Sequence, residues 1–377
     1  MVISQNDVYK QADTIEALYS ELQSQIFNKI IDRLMNVKGV DDTNVLAWQM
    51  KQLNESGMLT NDVIKLVSQI TGQSSEQLNN MIVDTGMTVN DDITKELGTL
   101  TGLKRSVRSD NRQMLQGLLK QTKNDLNNNV NESLITKNQQ RNPAIKTYTD
   151  IVRKSTVEVV TGLKTHDRAI ADNVYKWINS GMKTGLIDGG GRMWSIDSYS
   201  RMVINTAAHN AFNETRMAAM DKFDVTLATM SAHAASRPEC AGIQGMIVNM
   251  IPESDPRFNS KYDTVYNHEY KEPAGTQGIN CHHILKPFIE GVSTNTYEHP
   301  DEQQAIENGA TQAKQRAYER QIRKDKQLLS AAQRLKDDVG ISKYKSLLSA
   351  HQKRVRELVK QNDFLHRDYS REKLLVE

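Results

Sequence analysis

The sequence predicts a mainly α protein in which elongated helical arms flank a small α+β module. Three observations predict it. Near the start, Ile15, Leu18, Leu22, Ile26, Ile30 and Leu34 recur three or four apart, the spacing of one face of a helix. Beyond Pro300 the chain returns to a helical pattern dense in Lys, Arg, Gln and Glu. Between these arms, residues 224–291 hold five of the seven prolines, both cysteines and four of the nine histidines, in short apolar runs separated by irregular stretches.

Composition narrows the class of function. A length of 377 residues suggests two or three domains, or one domain with long helical extensions. Hydrophobic residues make up 38% and aromatics 6%, which allows a core but not a generous one. The net charge of +2 makes no global demand for nucleic acid. A mean hydropathy of −0.60 and the lack of any long apolar run argue for a soluble chain with no membrane partner. The opening MVISQNDVYK has no basic segment leading into an apolar one, so secretory export is not expected. Two cysteines cannot staple a secreted scaffold, and a reducing compartment is the default.

Each element has its own warrant. The first helix is expected over about residues 7–35, with Asp13 and Glu16 as an Asp variant of the capping box. Gly39 to Thr43 breaks it. Shorter helices should follow at about 44–55, 61–71, 75–84 and 90–98, with Gly57, Gly72 and Gly86 as left-handed ends and Asn61 and Ser74 or Ser75 as N-caps. From Leu103 to Lys137 the pattern is helical but rich in Asn and Gln, which suggests a hinge or a long exposed helix. After Pro143 one helical pattern runs to Gly181. GLIDGGGRMWSID, residues 185–197, reads as a hairpin, because Asp188 and three glycines suit a tight turn. A helix over about 199–222 follows, capped by Asp197 or Ser198. In the tail, helices are expected over about 301–338 and, after Gly340, 341–361. By position these make four regions: a helical region 1–140, a connecting helix 141–181, an α+β module 182–299 and a basic helical arm 300–377. That last region carries 17 basic against 12 acidic side chains, interleaved as on a solvated helix face.

Chemistry is concentrated in two pieces, SAHAASRPECAGIQGM (231–246) and GINCHHILKPFIEG (278–291). On an extended strand Cys281 and His283 share one face and His282 takes the other. If the second piece returns beside the first, His233, Cys240, Cys281 and His283 form the two-Cys, two-His set that structural zinc prefers. The competing reading is two small buried thiols and hydrogen-bonded histidines. A catalytic reading, a metal-independent nuclease using His233 and His283 with Arg237 and Glu239, has the residue types but no phosphate loop, nucleophile elbow or HExxH to support it.

The paired pieces, preceded by DSYSRMVINTAAHNAFNETRM (197–217), resemble the phage minor capsid protein 2 family within the Mu F-like head morphogenesis proteins. TIEALYSELQSQIFNKIIDRL near the start and NDFLHRDYSREK (362–373) near the end extend the likeness over nearly the whole chain. Its most specific parts are His233, Arg237, Pro238, Glu239, the Gln244-Gly245 pair and the turn from Gly278 to His283. Cys240 stands where relatives often carry His, and His282 where Arg is common. The resemblance implies a structural, non-enzymatic head component of a tailed phage, located in the capsid interior or at the portal vertex. Its implied partners are the portal protein or the major capsid protein, with packaged DNA as a non-specific contact. The apolar stripe Ile15, Leu18, Leu22, Ile26 and Ile30 is then the candidate partner-binding face. A cytoplasmic helical scaffold unrelated to phage is the remaining alternative.

Overall fold

A computed structural model describes residues 3–374 except 137, 139, 140, 188–190, 192 and 280. The fold is mainly helical with a small β-containing module. Among the described residues no helix is long and apolar enough to cross a membrane. By internal contacts the chain forms two compact units. Unit 1 comprises Met1–Ile15, Ser75–Lys123 and Met202–Lys314; unit 2 comprises Glu16–Ser74, Asn124–Arg201 and Gln315–Glu377. Each is assembled from three separate stretches, whereas the four regions of the sequence reading divide the chain by position alone.

Helix α1 (Gln5–Leu34) starts earlier than the expected capping signal. Ser4 and Asp7 close a reciprocal box, with the Asp7 amide donating to Ser4 Oγ (3.3 Å) and the Ser4 amide to Asp7 Oδ2 (3.0 Å). Asp13 and Glu16 therefore lie inside the helix. The apolar stripe is covered by the protein itself: Ile15, Leu22, Ile26 and Ile30 are fully buried and Leu18 is half-buried. As folded, those side chains are core and not an open docking face. They satisfy the stripe's need for a partner within the chain.

The short helices expected after residue 44 are fewer and longer. Helix α2 (Val45–Asn54) is as expected, but α3 (Ser56–Asn79) runs through Gly57 and Gly72. A single π-turn, Asn80–Asp84, then joins α3 to α4 (Thr85–Thr101). Gly86 is helical and serves close packing, since a Cβ there would stand 2.9 Å from the Leu115 methyls of α5 (Arg108–Leu126). The left-handed end falls at Gly102 (φ +71°), which stops α4. The Asn-rich stretch is also less exposed than expected. It forms a second π-turn, Asn127–Asn131, and a short helix α6 (Glu132–Ile135), burying Leu126, Val130, Asn131 and Leu134.

In unit 2, the pattern after Pro143 resolves into α7 (Pro143–Val160) and α8 (His166–Ser180), packed on each other and separated at Gly162 (φ +68°). Buried Asn142 caps α7, its Oδ1 accepting from the amides of Ala144 and Ile145 at 3.0 and 3.2 Å. The Tyr148 hydroxyl of α7 donates to Gln52 of α2, and Trp48 meets His166 edge to face at 4.6 Å. The hairpin is present as antiparallel β1 (Lys183–Ile187) and β2 (Met193–Ser195); Asp188 and the glycines at 189 and 190 lie outside the described residues. Helix α9 (Ile196–Lys222) starts one turn early, with Ser195 Oγ accepting from the Ser198 amide at 3.2 Å. Asp197 is thereby free to pair with Arg201 (3.1 Å).

The tail is packed rather than simply solvated. Helices α11 (Glu302–Leu335) and α12 (Asp338–Gln361) divide at Lys336 (φ +57°), before the expected Gly340. Gly340 is buried in α12, where a Cβ would collide with Tyr175 Oη and Asp337. Buried Asp325 pairs with His351 (2.6 Å), and Ile322, Leu328, Ala331 and Ala332 are buried.

Unit 1 contains the second sheet, ordered β4-β3-β5 and antiparallel throughout: β4 (Ile247–Asn249), β3 (Leu227–Met230) and β5 (Leu285–Phe288). Ile93 and Leu97 of α4, with Ala219 and Met220 of α9, join Ala228, Met230, Val248 and Leu285 in one core. Both cysteines belong to that core.

Candidate metal centre

The sheet register builds the site. Because β3 and β5 run antiparallel with Met230 opposite Leu285, the residues after β3 meet those before β5. Ser231 extends the ladder, its amide donating to the Ile284 carbonyl and its Oγ accepting from the Ile284 amide, both at 2.9 Å. His233 is thereby carried to the backbone of His282. Cys240 arrives on α10 (Pro238–Ala241), a single turn with Pro238 at its first position.

Cys281 and His283 share the inward face, at 2% and 4% exposure, and His282 points outward against the Tyr9 ring at 4.7 Å. The Cys240 and Cys281 sulfurs are 4.0 Å apart, and His283 Nδ1 is 3.6 Å from Cys281 Sγ. The three ligand atoms lie within 4.8 Å of one another, and all three residues are buried. His233 is not part of this trio. Its ring stands edge to face with His283 (centroids 4.6 Å), and its Nε2 is turned to Ser231 Oγ and the His282 carbonyl, each at 3.3 Å. Of the four residues expected from sequence as ligands, the fold brings Cys240, Cys281 and His283 together and leaves His233 beside them.

Gln244, fully buried, organises the group. Its Oε1 accepts from the His233 amide (2.9 Å) and faces His283 Nε2 (3.1 Å). A backbone N–H can only donate, so the amide oxygen, not the nitrogen, must face it. His283 Nε2 therefore carries the proton, and Nδ1 presents a lone pair to the thiols. Sharing of a hydrogen bond between the sulfurs pulls the Cys281 thiol well below its usual range, against burial. The same bond, followed by burial, pushes Cys240 upward. Burial, then the His283 ring, lowers His233.

Arg237 is a clamp. Its guanidinium donates to the carbonyls of Pro273 (3.3 Å), Ala274 (2.9 Å), Gly275 (3.2 Å) and Ile279 (2.6 Å), holding the loop that leads to Cys281. Gly275 and Gly278 make that loop possible, since a Cβ at either would fall within 2 Å of the Glu269 or Glu272 carbonyl oxygen. With four carbonyls on it, this cation is committed to the fold and not to an anionic substrate. The positioning roles of Gln244 and Arg237 do not follow from spacing: the family likeness marks both residues, and the catalytic reading offered Arg237 only as a cationic stabiliser.

The family model of phage minor capsid protein 2 matches residues 4–360. The chain belongs to the phage minor capsid protein 2 family. It is 41% identical over 364 residues to a structural protein of Lactococcus phage LL-H, covering 95% of this chain and 98% of the relative. It is also 51% identical over 120 residues to a structural protein of Lactococcus phage mv4, covering 32% of this chain and 98% of that relative. No solved structure matches the chain. The expected family and mainly helical class therefore stand, and a phage-unrelated scaffold is set aside.

Proposed function

We propose that this phage minor capsid protein is a non-enzymatic component of the virion head, associated with the portal or the capsid interior and acting in head assembly or in DNA packaging or ejection. The observation that carries this reading is the family match over residues 4–360, together with a relative of nearly equal length named a structural protein. The arrangement of the histidine and cysteine residues agrees with it. His283 and both thiols are buried and Arg237 is engaged by four loop carbonyls, a poor arrangement for a nuclease acting on a polymer.

The contact surface for portal or major capsid protein is better sought on the exposed faces of α7 and α2 than on the buried α1 stripe. Val157 and Val160 lie one turn apart on the outer face of α7 at 60% and 51% exposure, and Leu163 follows them, also exposed. Leu46 and Met50 make a similar exposed pair on α2, which packs against α7. The basic excess of the tail suits non-specific contact with packaged DNA, salt-sensitive and weak. The experiment is to replace Val157 and Val160 by Glu, count copies of the protein in purified heads, and identify cross-linked partners of the unaltered chain. Loss from heads with an unchanged far-UV spectrum supports the reading. A protein that is absent from wild-type heads overturns it.

A further inference from the structure

We propose that Cys240, Cys281 and His283 bind one zinc ion, with His283 coordinating through Nδ1. The argument begins with distances. A tetrahedral ion with zinc–sulfur bonds of about 2.3 Å and zinc–nitrogen bonds of about 2.0–2.1 Å holds its sulfurs roughly 3.8 Å apart and sulfur from nitrogen roughly 3.6 Å apart. The chain presents its sulfurs at 4.0 Å and Cys281 Sγ to His283 Nδ1 at 3.6 Å. Two of the three pairs thus already stand close to the spacing the ion needs, and the third, Cys240 to His283, lies within 4.8 Å.

The tautomer is the second observation. Gln244 fixes the proton on His283 Nε2 and so aims the free Nδ1 lone pair at the sulfurs, the arrangement in which an outer hydrogen bond orients a metal-bound imidazole. Donor chemistry names the metal. Two thiolates and an imidazole favour zinc over magnesium or calcium, which take oxygen ligands. Three protein ligands leave the fourth vertex to a small ligand such as water. His233 does not supply it, because it offers no ring nitrogen within 4.8 Å of all three ligand atoms. On binding, each cysteine ligates as thiolate and its proton passes to solvent; nothing is oxidised or reduced.

The ion would join α10 to the segment before β5, ligands that lie 41 residues apart in the chain, so its binding free energy becomes folding free energy for unit 1. The test uses the full chain purified without chelators. Metal analysis is expected to find about one zinc per chain, and cobalt added to the metal-free protein should give the intense thiolate-to-cobalt absorption of a two-sulfur site. Cys281→Ser should abolish that absorption, and His282→Ala, on the opposite face, should retain it. The wild-type measurements stand even where Cys281→Ser fails to fold. Absence of both zinc and the cobalt band in wild type overturns the proposal, as does a Cys240–Cys281 disulfide detected by thiol counting in protein kept from air.

Discussion

Gln244→Leu tests how much one buried amide contributes to the site. The substitution leaves an apolar side chain one atom shorter and removes the oxygen that accepts from the His233 amide and His283 Nε2. Leaving a buried donor without a partner costs about 1–3 kcal/mol. The His283 contact is buried, so its loss costs near the full amount, whereas the His233 amide is only part-buried, and water recovers some of its loss. In the other direction, Gln244 Nε2 is itself buried without a partner, so deleting it returns a fraction of a desolvation penalty. The net expectation is a local destabilisation of about 1–3 kcal/mol, equivalent to roughly 5- to 150-fold faster amide exchange where exchange proceeds by local opening. The assay is hydrogen exchange at the His233 amide in protein treated with chelator, so that no metal contributes. Exchange at residue 233 unchanged between wild type and Gln244→Leu would refute the claim that this amide organises the group.

Four other substitutions follow from the fold of unit 2. Leu22→Ala and Ile26→Ala each remove a fully buried side chain and should cost about 2–5 kcal/mol by urea unfolding, so that any loss from particles follows from lost folding; a cost under about 0.5 kcal/mol would contradict their place in the core. Glu16→Gln breaks the pair between buried Glu16 and Arg201, and because Arg201 is partly reached by solvent the expected cost is about 2–3 kcal/mol, below the 3–5 of fully buried pairs. His166 is held neutral by burial, against the nearby Asp167, and its pKa lies below the ordinary histidine value. The unfolded chain then binds the extra proton first, so stability should fall as pH drops through about 6.5 and level off below the folded value, and His166→Phe should flatten that slope; an identical pH profile in the variant would exclude the histidine as its source.

Local physics made much of this protein legible from its sequence. The three-to-four spacing from Ile15 to Leu34 specified a helix because burial on one face demands that period, and the clustering of Pro, Cys and His marked the region of the three-stranded sheet, where regular helix gives way. Alternation along an extended chain correctly put Cys281 and His283 on one face and His282 on the other. Helix ends were read less well, since Gly57, Gly72 and Gly86 are equally compatible with a helix end and with a helix interior; at Gly86 the packing of Leu115 decides, which is not local information. The destination of the apolar stripe was likewise beyond the sequence, because an amphipathic face states that something must cover it and not whether the cover is another protein or the chain itself. Tertiary structure alone decided the membership of the site. The register of β3 on β5 brought His233 beside His283, but ring packing turned its nitrogen to Ser231, and it was Gln244, eleven residues on, that aimed His283 at the two sulfurs. Spacing along a chain limits which side chains can meet; which atoms face one another depends on rotamers set by neighbours from distant segments.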